Sequence, residues 1–482
     1  MPAHDATETT DNHGPTTTAT APLGLGTASG RWLLLVTVLA STMAFLDATA
    51  VNVALPAIGS ELGASLSGLQ WIVTSYTLAL ASLVLLGGAL GDRYGRRRVF
   101  LIGVIWFAAA SILCGLAPTT ELLIAARVLQ GIGGALLTPG SLSLIQASFR
   151  PEDRARAIGL WSGLGGIAGL GGPFLGGFLV DAASWRWVFL INLPLAIVVV
   201  AVSLRHVPES RDLTQHGRFD ILGAVLAAIS LGGITYALID AGSRSAWVAL
   251  AVGLAAGVGF ILQERRTADP MLPLDVFSNR QFSGANLTTL AVYGGLGGFS
   301  FFLVLQLQTV LGYSALQAGA AMTPSILVIS LLSSRAGELA TRIGPRLPMT
   351  VGPLVAAVGV FHLSFAGAGA GFVTGVLPGS LVFGLGMALV VAPLTATALA
   401  AAPTHLAGVA SGVNNAVARA AGLLVVAALP VAVGLSGDDY AQPAVFTNGY
   451  ALAMRLCAAL LALGGLIAWL TIRNDVLAQE TS

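Results

Sequence analysis

Two charged residues inside apolar stretches are the positions where this chain could carry out chemistry. Asp47 is the one ionisable residue between Trp32 and Leu55, and Arg127 lies in the apolar stretch 122–147. A charge at the centre of a membrane helix costs about 2.5–3.5 kcal/mol on insertion scales, so such residues generally serve a function. A buried carboxylate beside an arginine can bind and release protons as water access changes. We therefore predict proton coupling by Asp47 and Arg127, with a static ion pair as the alternative.

The chain lacks the residue sets that most enzymes use. All 23 basic residues are arginine, which excludes a P-loop lysine and a lysine Schiff base. Cys114 and Cys457 both fall in apolar stretches, and the six histidines show no metal-ligand spacing. We therefore predict that the protein is not an enzyme, needs no cofactor or metal, and draws its energy from a proton gradient.

The composition places the chain in a membrane. Of 482 residues, 55% are hydrophobic and 9% are charged, whereas a soluble domain carries roughly 25% charged residues. Apolar runs of about twenty residues recur along the chain, each long enough for the ~30 Å hydrocarbon core. The net charge of +1 leaves no basic face for nucleic acid. These features predict an all-α polytopic protein whose partner is the lipid bilayer, with no nucleic-acid partner.

The apolar runs predict fourteen membrane spans. They cover 32–54, 69–90, 99–118, 122–147, 157–180, 187–205, 219–240, 246–264, 283–310, 316–340, 347–367, 373–398, 406–434 and 448–471. With the N-terminus inside, eighteen arginines lie on the cytoplasmic side and two, Arg186 and Arg244, on the outer side. This bias predicts cytoplasmic termini, with cytoplasmic tails at 1–30 (disordered, no signal peptide) and 473–482.

The sequence also repeats itself. "GALGDRYGRR" (88–97) matches "GELATRIGPR" (337–346) at a shift of 249, as "GLWSG" matches "GVASG" further on. "GIGGAL" matches "GLGMAL" at a shift of 253. Chance agreement explains any one match, but three in order predict two related six-helix bundles, at 31–205 and 281–472. The segment 206–280 is then an inserted pair of helices. Parallel repeats of this kind suit alternating access around a site near the middle of the membrane.

Simple helix geometry places Asp47 and Arg127 at similar depths. Asp47 lies ~10–14 Å and Arg127 ~8–9 Å from the predicted outer ends of their spans, at 1.5 Å per residue. The position equivalent to Arg127 in the second bundle is Ser380. We therefore expect proton coupling in the first bundle and substrate shaping mainly in the second.

Several motifs resemble signatures of the major facilitator superfamily. They are "GxLxDRxGRR" at 88–97, "RxxQGxGGA" at 127–135 and "GPxxGG" at 172–177. "LDATAVNVALP" (46–56), "WRWVFLINLP" (185–194) and "GVASGVNNAVARAAG" (408–422) are similar to its fourteen-helix drug:H+ antiporter branch, the EmrB/QacA-like proteins. "FSGANL" (282–287) resembles the actinobacterial antibiotic exporters such as the methylenomycin resistance protein. Nearly the whole chain after residue 30 takes part in this resemblance.

The resemblance implies roles for two of the motifs. In the first, Gly88, Asp92, Arg93, Gly95 and Arg97 would form a cytoplasmic latch, with Asp92 paired to Arg93 or Arg97. Plain positive-inside anchoring is the alternative for these arginines, although it does not explain Asp92. In the second, the motif associated with exporters that exchange substrate for protons comprises Gly172, Pro173, Gly176 and Gly177. Its alternative is helix packing, which is compatible with the same role.

The charge pattern also bears on the substrate. The tenth predicted span has no acidic residue at 318–332. The resemblance implies that family members which handle divalent cations carry an extra acid around this span. We therefore predict a lipophilic substrate that is neutral or monocationic. Asn414 and Asn415 either face a cavity or join helices. The candidate cavity residues are Phe45, Trp71, Tyr76, Trp161, Tyr293, Gln306, Asn414, Asn415 and Arg419.

Together these features predict the major facilitator fold and a proton-coupled antiporter that exports amphipathic drugs or antibiotics. We expect a monomer in a bacterial inner membrane, with protons as the coupling ion. Two other functions fit the same scaffold: transport of one polar metabolite such as an amino acid, and a membrane sensor without transport. A buried titratable pair favours transport, because a sensor does not need one.

Overall fold

The structure is a computed structural model of the full chain. It describes residues 22–211, 220–267, 270–402 and 406–475. Within these ranges the chain is helical, and extended segments meet at a bridge between Leu23 and Phe149. The predicted tails reach into 1–21 and 476–482, which lie outside the described residues.

The described chain contains fifteen α-helices. They are α1 (Ala28–Leu62), α2 (Leu66–Tyr94), α3 (Arg96–Gly115), α4 (Thr120–Ser148), α5 (Pro151–Ala182), α6 (Trp187–Leu190), α7 (Asn192–His206), α8 (Ile221–Ile239), α9 (Arg244–Arg266), α10 (Arg280–Leu305), α11 (Ala315–Ile343), α12 (Arg346–Leu363), α13 (Leu377–Ala400), α14 (Ala407–Ala432) and α15 (Pro443–Thr471). Helices α6 and α7 together form one apolar segment, Trp187–His206. Short π-helical turns extend α10 and precede α13.

Thirteen of the described segments are long and apolar enough to cross a membrane. Helix α5 adds a further segment of 32 residues, about 48 Å at 1.5 Å per residue, which exceeds the ~30 Å hydrocarbon core. All backbone hydrogen bonds of a helix are internal, so such helices can stand in lipid. The predicted all-α polytopic membrane fold is confirmed.

The helices pack as two groups joined by a pair. In the first group α1 contacts α5 and α7, while α2 and α3 both contact α4. In the second group α10 contacts α14 and α15, while α11 and α12 both contact α13. The inserted helices α8 and α9 pack on each other, and α8 reaches α2 and α14. We call α1–α7 the first bundle and α10–α15 the second bundle.

The turns after α2 and after α11 share a conformation. Gly95 has φ 111° and Gly344, 249 positions later, has φ 87°, a region that favours glycine. Each turn also receives a side chain from the segment after its bundle's last helix. Glu209 accepts hydrogen bonds from the start of α3, and Asn474 accepts one from the start of α12. The repeat seen in the sequence therefore extends to the local structure.

The start of the described chain is ordered earlier than predicted. The prediction of a disordered tail up to residue 30 is wrong for 22–30, because α1 already begins at Ala28. Leu23 donates its backbone N–H to Ser148, and its carbonyl accepts from Arg150. Leu23 and Leu25 also pack against the cluster that contains Phe149. Burial of these two leucines offsets the chain entropy that a free tail would keep.

The turns between the helices lie at two ends of the molecule. The arginine-rich end holds the α2–α3 and α4–α5 turns, and the opposite end holds the α5–α6 and α10–α11 turns. At the opposite end α5 and α11 approach closely across the two bundles. A Cβ at Gly319 would collide with the Pro173 carbonyl, and one at Gly177 would collide with the Ala315 carbonyl. Asp181 accepts hydrogen bonds from the Ala315 and Leu316 backbones at 3.2 and 2.9 Å.

Further hydrogen bonds join the bundles near the same end. Gln70 donates to carbonyls of Val426 and Ala427 at 2.8 and 3.0 Å. Gln308 donates to Val53 at 2.9 Å, and the Tyr440 hydroxyl donates to the Ala64 carbonyl at 2.9 Å. Because these contacts span both bundles, the structure is closed at the opposite end.

We expect Gly319→Ala to open the opposite end, because the new Cβ would collide with the Pro173 carbonyl. Alanine otherwise favours a helix over glycine by about 1 kcal/mol, so the harm must be steric. Distances between spin labels on the α5–α6 and α10–α11 turns should lengthen. Gly171→Ala is the control, since no atom lies within 4 Å of its Cβ position. Unchanged distances in Gly319→Ala would show that this contact does not hold the end closed.

Candidate functional site

Asp47 and Arg127 form an ion pair inside the first bundle. Arg127 Nη1 lies 2.5 Å from Asp47 Oδ2 and 2.6 Å from Gln130 Oε1. Gln130 Nε2 donates to the other Asp47 oxygen, Oδ1, at 2.7 Å. Asp47 and Arg127 are each 1% exposed, and Gln130 is fully buried. Both oxygens of the carboxylate are thus engaged by donors from α4.

A wider network fixes the donors. Arg127 Nε donates to the Ile72 carbonyl on α2 at 3.0 Å. Gln130 Nε2 also donates to Ser111 Oγ on α3 at 2.9 Å. Asn192 Nδ2 on α7 donates to the same Ser111 oxygen at 3.3 Å. The carboxylate of α1 is therefore tied to four other helices through one arginine and one glutamine.

Aromatic rings cover the guanidinium. The Arg127 Cζ atom lies 4.3 Å from the centroid of the Tyr76 ring and 5.7 Å from that of Phe189. Contacts within about 6 Å of a ring centroid are attractive to a cation. Removing one member of a buried pair typically destabilises a protein by about 3–5 kcal/mol, because the other charge stays uncompensated. One member of the pair can therefore lose its charge or move away only if a proton, a water molecule or another ion compensates the charge that remains.

The structure brings together the two residues that the depth argument placed side by side. Their role in proton coupling stays a prediction. Gln130 was missed, although it follows Arg127 by three positions and so shares its helix face. Ser111 and Asn192 were missed too, and single polar residues in apolar helices give no sequence signal for mutual contact.

The second bundle has no arginine at the position equivalent to Arg127, which is Ser380. Ser380 is 1% exposed, and its hydroxyl has no hydrogen-bond partner among the described residues. The two bundles therefore differ at equivalent depths, with a charged network in the first and a small hydroxyl in the second.

The α2–α3 turn differs from its predicted pairing. Asp92 forms an ion pair with Arg96 at 2.7 Å, so the prediction of Arg97 as its partner is wrong. Arg93 lies with its Cζ 5.8 Å from the Tyr94 ring centroid. Gly88 sits opposite Pro139 on α4, with an ordinary 3.6 Å spacing at its Cβ position. Asp92 and Arg96 are four positions apart, a spacing at which helical side chains meet.

Arg97 pairs instead with Glu209 beyond α7. Its Nε lies 4.0 Å from Glu209 Oε2, and its Nη1 donates to the Val207 carbonyl at 2.8 Å. The Glu209 carboxylate accepts the backbone N–H groups of Arg97 and Arg98 at 3.0 and 3.1 Å. A carboxylate at a helix start satisfies free N–H groups and the helix dipole. Glu209 therefore fastens the end of the first bundle to the turn that carries the motif.

The 172–177 motif lies between helices. A Cβ at Gly172 would collide with Thr49, and one at Gly176 would lie 2.6 Å from the Ala50 Cβ, both on α1. Gly177 and Pro173 face α11 of the second bundle, as described above. The motif therefore lets α5 lie close to α1, which carries Asp47, and to α11 at the same time.

The candidate cavity residues divide into two sets. The prediction of Gln306 as a cavity residue is wrong, because its side chain is fully buried and its amide donates to the Ala366 carbonyl at 2.9 Å. Asn414 joins helices instead, since it donates to Asn286 and Thr289 of α10 at 3.3 and 2.8 Å. Trp71 packs beside Tyr236 of α8, with ring centroids 6.2 Å apart.

The other candidates are partly exposed, or their polar atoms lie near residues of neighbouring helices. Phe45 is 43% exposed. Asn415 is exposed, and its amide donates to the Ser411 carbonyl at 3.0 Å. Trp161 is half-buried and donates to Ser41 Oγ at 2.9 Å. Arg419 lies within electrostatic reach of Tyr293 and of Tyr76, although the Tyr76 side chain itself is buried. In the part of the chain that the structure describes, no group of three metal-ligating side chains comes together.

Comparison with known proteins now assigns the family. The sequence model of the Major Facilitator Superfamily matches residues 37–427. The chain belongs to the major facilitator superfamily. It is accordingly a multi-pass membrane transport protein, and the prediction that it is not an enzyme is confirmed.

Curated resistance proteins resemble this transporter along most of its length. The multidrug resistance protein Stp of Mycobacterium tuberculosis is 37% identical over 393 residues, covering 80% of this chain and 72% of Stp. The puromycin resistance protein pur8 of Streptomyces alboniger is 35% identical, covering 93% of each chain. The methylenomycin A resistance protein of Bacillus subtilis is 34% identical, covering 94% of this chain and 97% of that one. These matches confirm the predicted resemblance to antibiotic resistance and export proteins.

Solved structures of other transporters share the fold at low sequence identity. An auto-inhibited peptide transporter of the POT family has a TM-score of 0.68 at 18% identity, covering 92% of this transporter and 96% of that chain. A bacterial homolog of the human lysosomal transporter Spinster, in an inward-facing and unoccupied conformation, has a TM-score of 0.67 at 18% identity, covering 94% and 98%. The predicted major facilitator fold is confirmed.

We expect Glu209→Ala to loosen the α2–α3 turn of the transporter, because it removes both acceptors at the start of α3. Loss of a helix-start acceptor costs about 0.5–2 kcal/mol. The amide protons of Arg97 and Arg98 should exchange faster with deuterium than in the wild type. Glu338→Ala is the control, since its side chain is exposed near the same end. Equal exchange in wild type and Glu209→Ala would contradict the capping role.

Proposed function

We propose that the protein is a proton-coupled exporter of lipophilic drugs or antibiotics in a bacterial inner membrane. The observation that carries this proposal is the buried Asp47–Arg127–Gln130 network in a member of a transport superfamily. The names of the relatives support the direction and the cargo, since they are resistance and export proteins. The proton gradient supplies the energy, and no cofactor takes part.

The proton acts on Asp47 in this proposal. A proton that reaches the carboxylate neutralises it and weakens its attraction for Arg127. Arg127 keeps its other contacts, the Ile72 carbonyl and the Tyr76 ring, so it does not need to leave the interior. Loss of the proton restores the ion pair and draws α1 and α4 together. Coupling follows if these two states of the pair favour opposite openings of the bundles.

Alternating access uses the contacts between the bundles. The described structure is closed at the opposite end, where Asp181 and Pro173 meet α11. The positive-inside rule makes the arginine-rich end cytoplasmic, with both termini on that side. In this orientation the closed end is the outer one, so an exporter in this state would take its substrate from the cytoplasmic side. The Asp92–Arg96 turn then acts as a latch between these states. A single chain contains both bundles, so the transporter works as a monomer.

Export is tested by growth of an efflux-deficient host across an antibiotic panel. Cells that express the protein should tolerate at least one lipophilic antibiotic at higher concentrations than cells with an empty vector. Unchanged susceptibility across the whole panel, with the protein present in the membrane, would contradict the proposal.

We expect Asp47→Asn to abolish drug-dependent proton movement, because asparagine keeps the shape of the side chain but cannot exchange a proton. Inverted vesicles that carry the wild type should release protons from their lumen when a transported antibiotic is added. The Asp240→Asn variant is the control, since Asp240 is an exposed acid after α8. Normal proton release in Asp47→Asn would reject the coupling role.

A further inference from the structure

Arg419 is a second charged residue within the membrane region, and the pair described above does not use it. It lies twelve residues after the start of α14 at Ala407, about 18 Å along the helix axis and so close to the middle of the bilayer. Its guanidinium makes no hydrogen bond or ion pair with the described residues, and its Nε is shielded from solvent. An arginine has five N–H donors and keeps its charge, so this arrangement leaves binding capacity unused.

No acid in the described part of the chain offsets the charge of Arg419. The ionisable groups that act on Arg419 are the phenols of Tyr76 and Tyr293, which are neutral at ordinary pH. The nearby acid of the first bundle, Asp47, is occupied on both oxygens by Arg127 and Gln130. Among the described residues around this site, the charges of Asp47, Arg127 and Arg419 therefore sum to +1.

The neighbours of Arg419 lie where the bundles meet. Helix α14 contacts α2 of the first bundle and α10 of the second. A Cβ at Gly412 would lie 2.5 Å from Leu85 of α2, and one at Gly297 of α10 would lie 2.7 Å from Gly422. Asn415, one turn before Arg419, has an exposed side chain. Helix α14 thus carries Arg419 and Asn415 along its contacts with both bundles, and Arg419 lies within electrostatic reach of the Tyr76 and Tyr293 phenols.

We propose that Arg419 binds an anionic group of the exported substrate, so that lipophilic carboxylic acids and acidic phenols are preferred over cations. Guanidinium groups bind carboxylates through paired charge-assisted hydrogen bonds. The half-buried ring of Tyr293 supplies apolar contact for the rest of the molecule. This inference rests on the proposed export function and names its substrate class.

This preference differs from the one that the sequence predicted. The prediction of a neutral or monocationic substrate treated Asp47 as the charge available to the substrate. In the structure the free charge is Arg419, and a cation beside it would be repelled and lose its water of hydration. Exchange of a monoanion for one incoming proton moves two charges, so the membrane potential should also drive export.

The test compares three forms of one probe with the purified full-length protein in lipid. They are 1-pyrenebutyric acid, its methyl ester and 1-pyrenebutylamine, whose binding is followed by pyrene fluorescence at pH 7. The wild type should bind the acid at least about tenfold more tightly than the ester, as expected for hydrogen bonds to a charged group. The amine should bind weakest. Equal binding of the three forms, a preference for the amine, or no binding of the acid would overturn the inference.

Variants of Arg419 separate binding from folding. Arg419→Gln should lose the preference for the acid, and Arg419→Lys should keep part of it, since lysine retains the charge without the planar fork. Arg455→Gln is the matched control, because Arg455 is an exposed arginine of α15. The acid should raise the melting temperature of the wild type and Arg455→Gln but not of Arg419→Gln. A preference that survives in Arg419→Gln would overturn the inference.

Transport in proteoliposomes distinguishes this inference from the proposed function. Uptake of the bound acid, driven by an imposed potential and a pH gradient, is expected of the wild type. A protein that binds the acid through Arg419 without moving it would overturn the export function and leave the anion site standing. A protein that exports the amine in preference to the acid would confirm export and overturn the anion site.

Discussion

The buried contact between Asp47 and Arg127 determines how the first bundle is built. Neither charge can stand alone in a region without water, so each needs the other, and Gln130 completes the set. Ser111, Asn192 and the Ile72 carbonyl hold the donors in place. The pair therefore ties α1 to α2, α3, α4 and α7, and a change of its charge acts on the hydrogen bonds to these four helices.

The same helices carry the contacts between the bundles. The small residues of 172–177 place α5 against α1 on one side and against α11 on the other. Helix α2 carries Tyr76 on the Arg127 side and Gln70 on the α14 side. A shift of α1 or α2 after protonation of Asp47 would therefore act directly on the closed end. The Tyr76 ring lies 4.3 Å from the Arg127 guanidinium, and its phenol is also within electrostatic reach of Arg419 on α14, so Tyr76 links the proton site to the second bundle.

The sequence predicted what depends on local pattern and helix geometry, and missed what depends on contacts between distant segments. Hydropathy predicted the spans, and a rise of 1.5 Å per residue placed Asp47 beside Arg127. The partner of Arg97 lies more than a hundred residues away, at Glu209, and no local pattern indicates it. Gln306 and Asn414 resemble cavity residues in sequence, yet each hydrogen bonds to a neighbouring segment. The unpaired state of Arg419 was likewise hidden, because it depends on which acids lie near it.

If Asp47 couples transport to protons, its carboxyl group must exchange a proton when substrate binds. Infrared difference spectroscopy of the protein in lipid tests it most directly, because a protonated carboxyl group has an absorption band that a carboxylate lacks. In the wild type, acidification should produce this band and a transported antibiotic should remove part of it, whereas Asp47→Asn should keep only the bands of other acids, which the antibiotic leaves unchanged. The same substrate-dependent band change in Asp47→Asn would contradict the account.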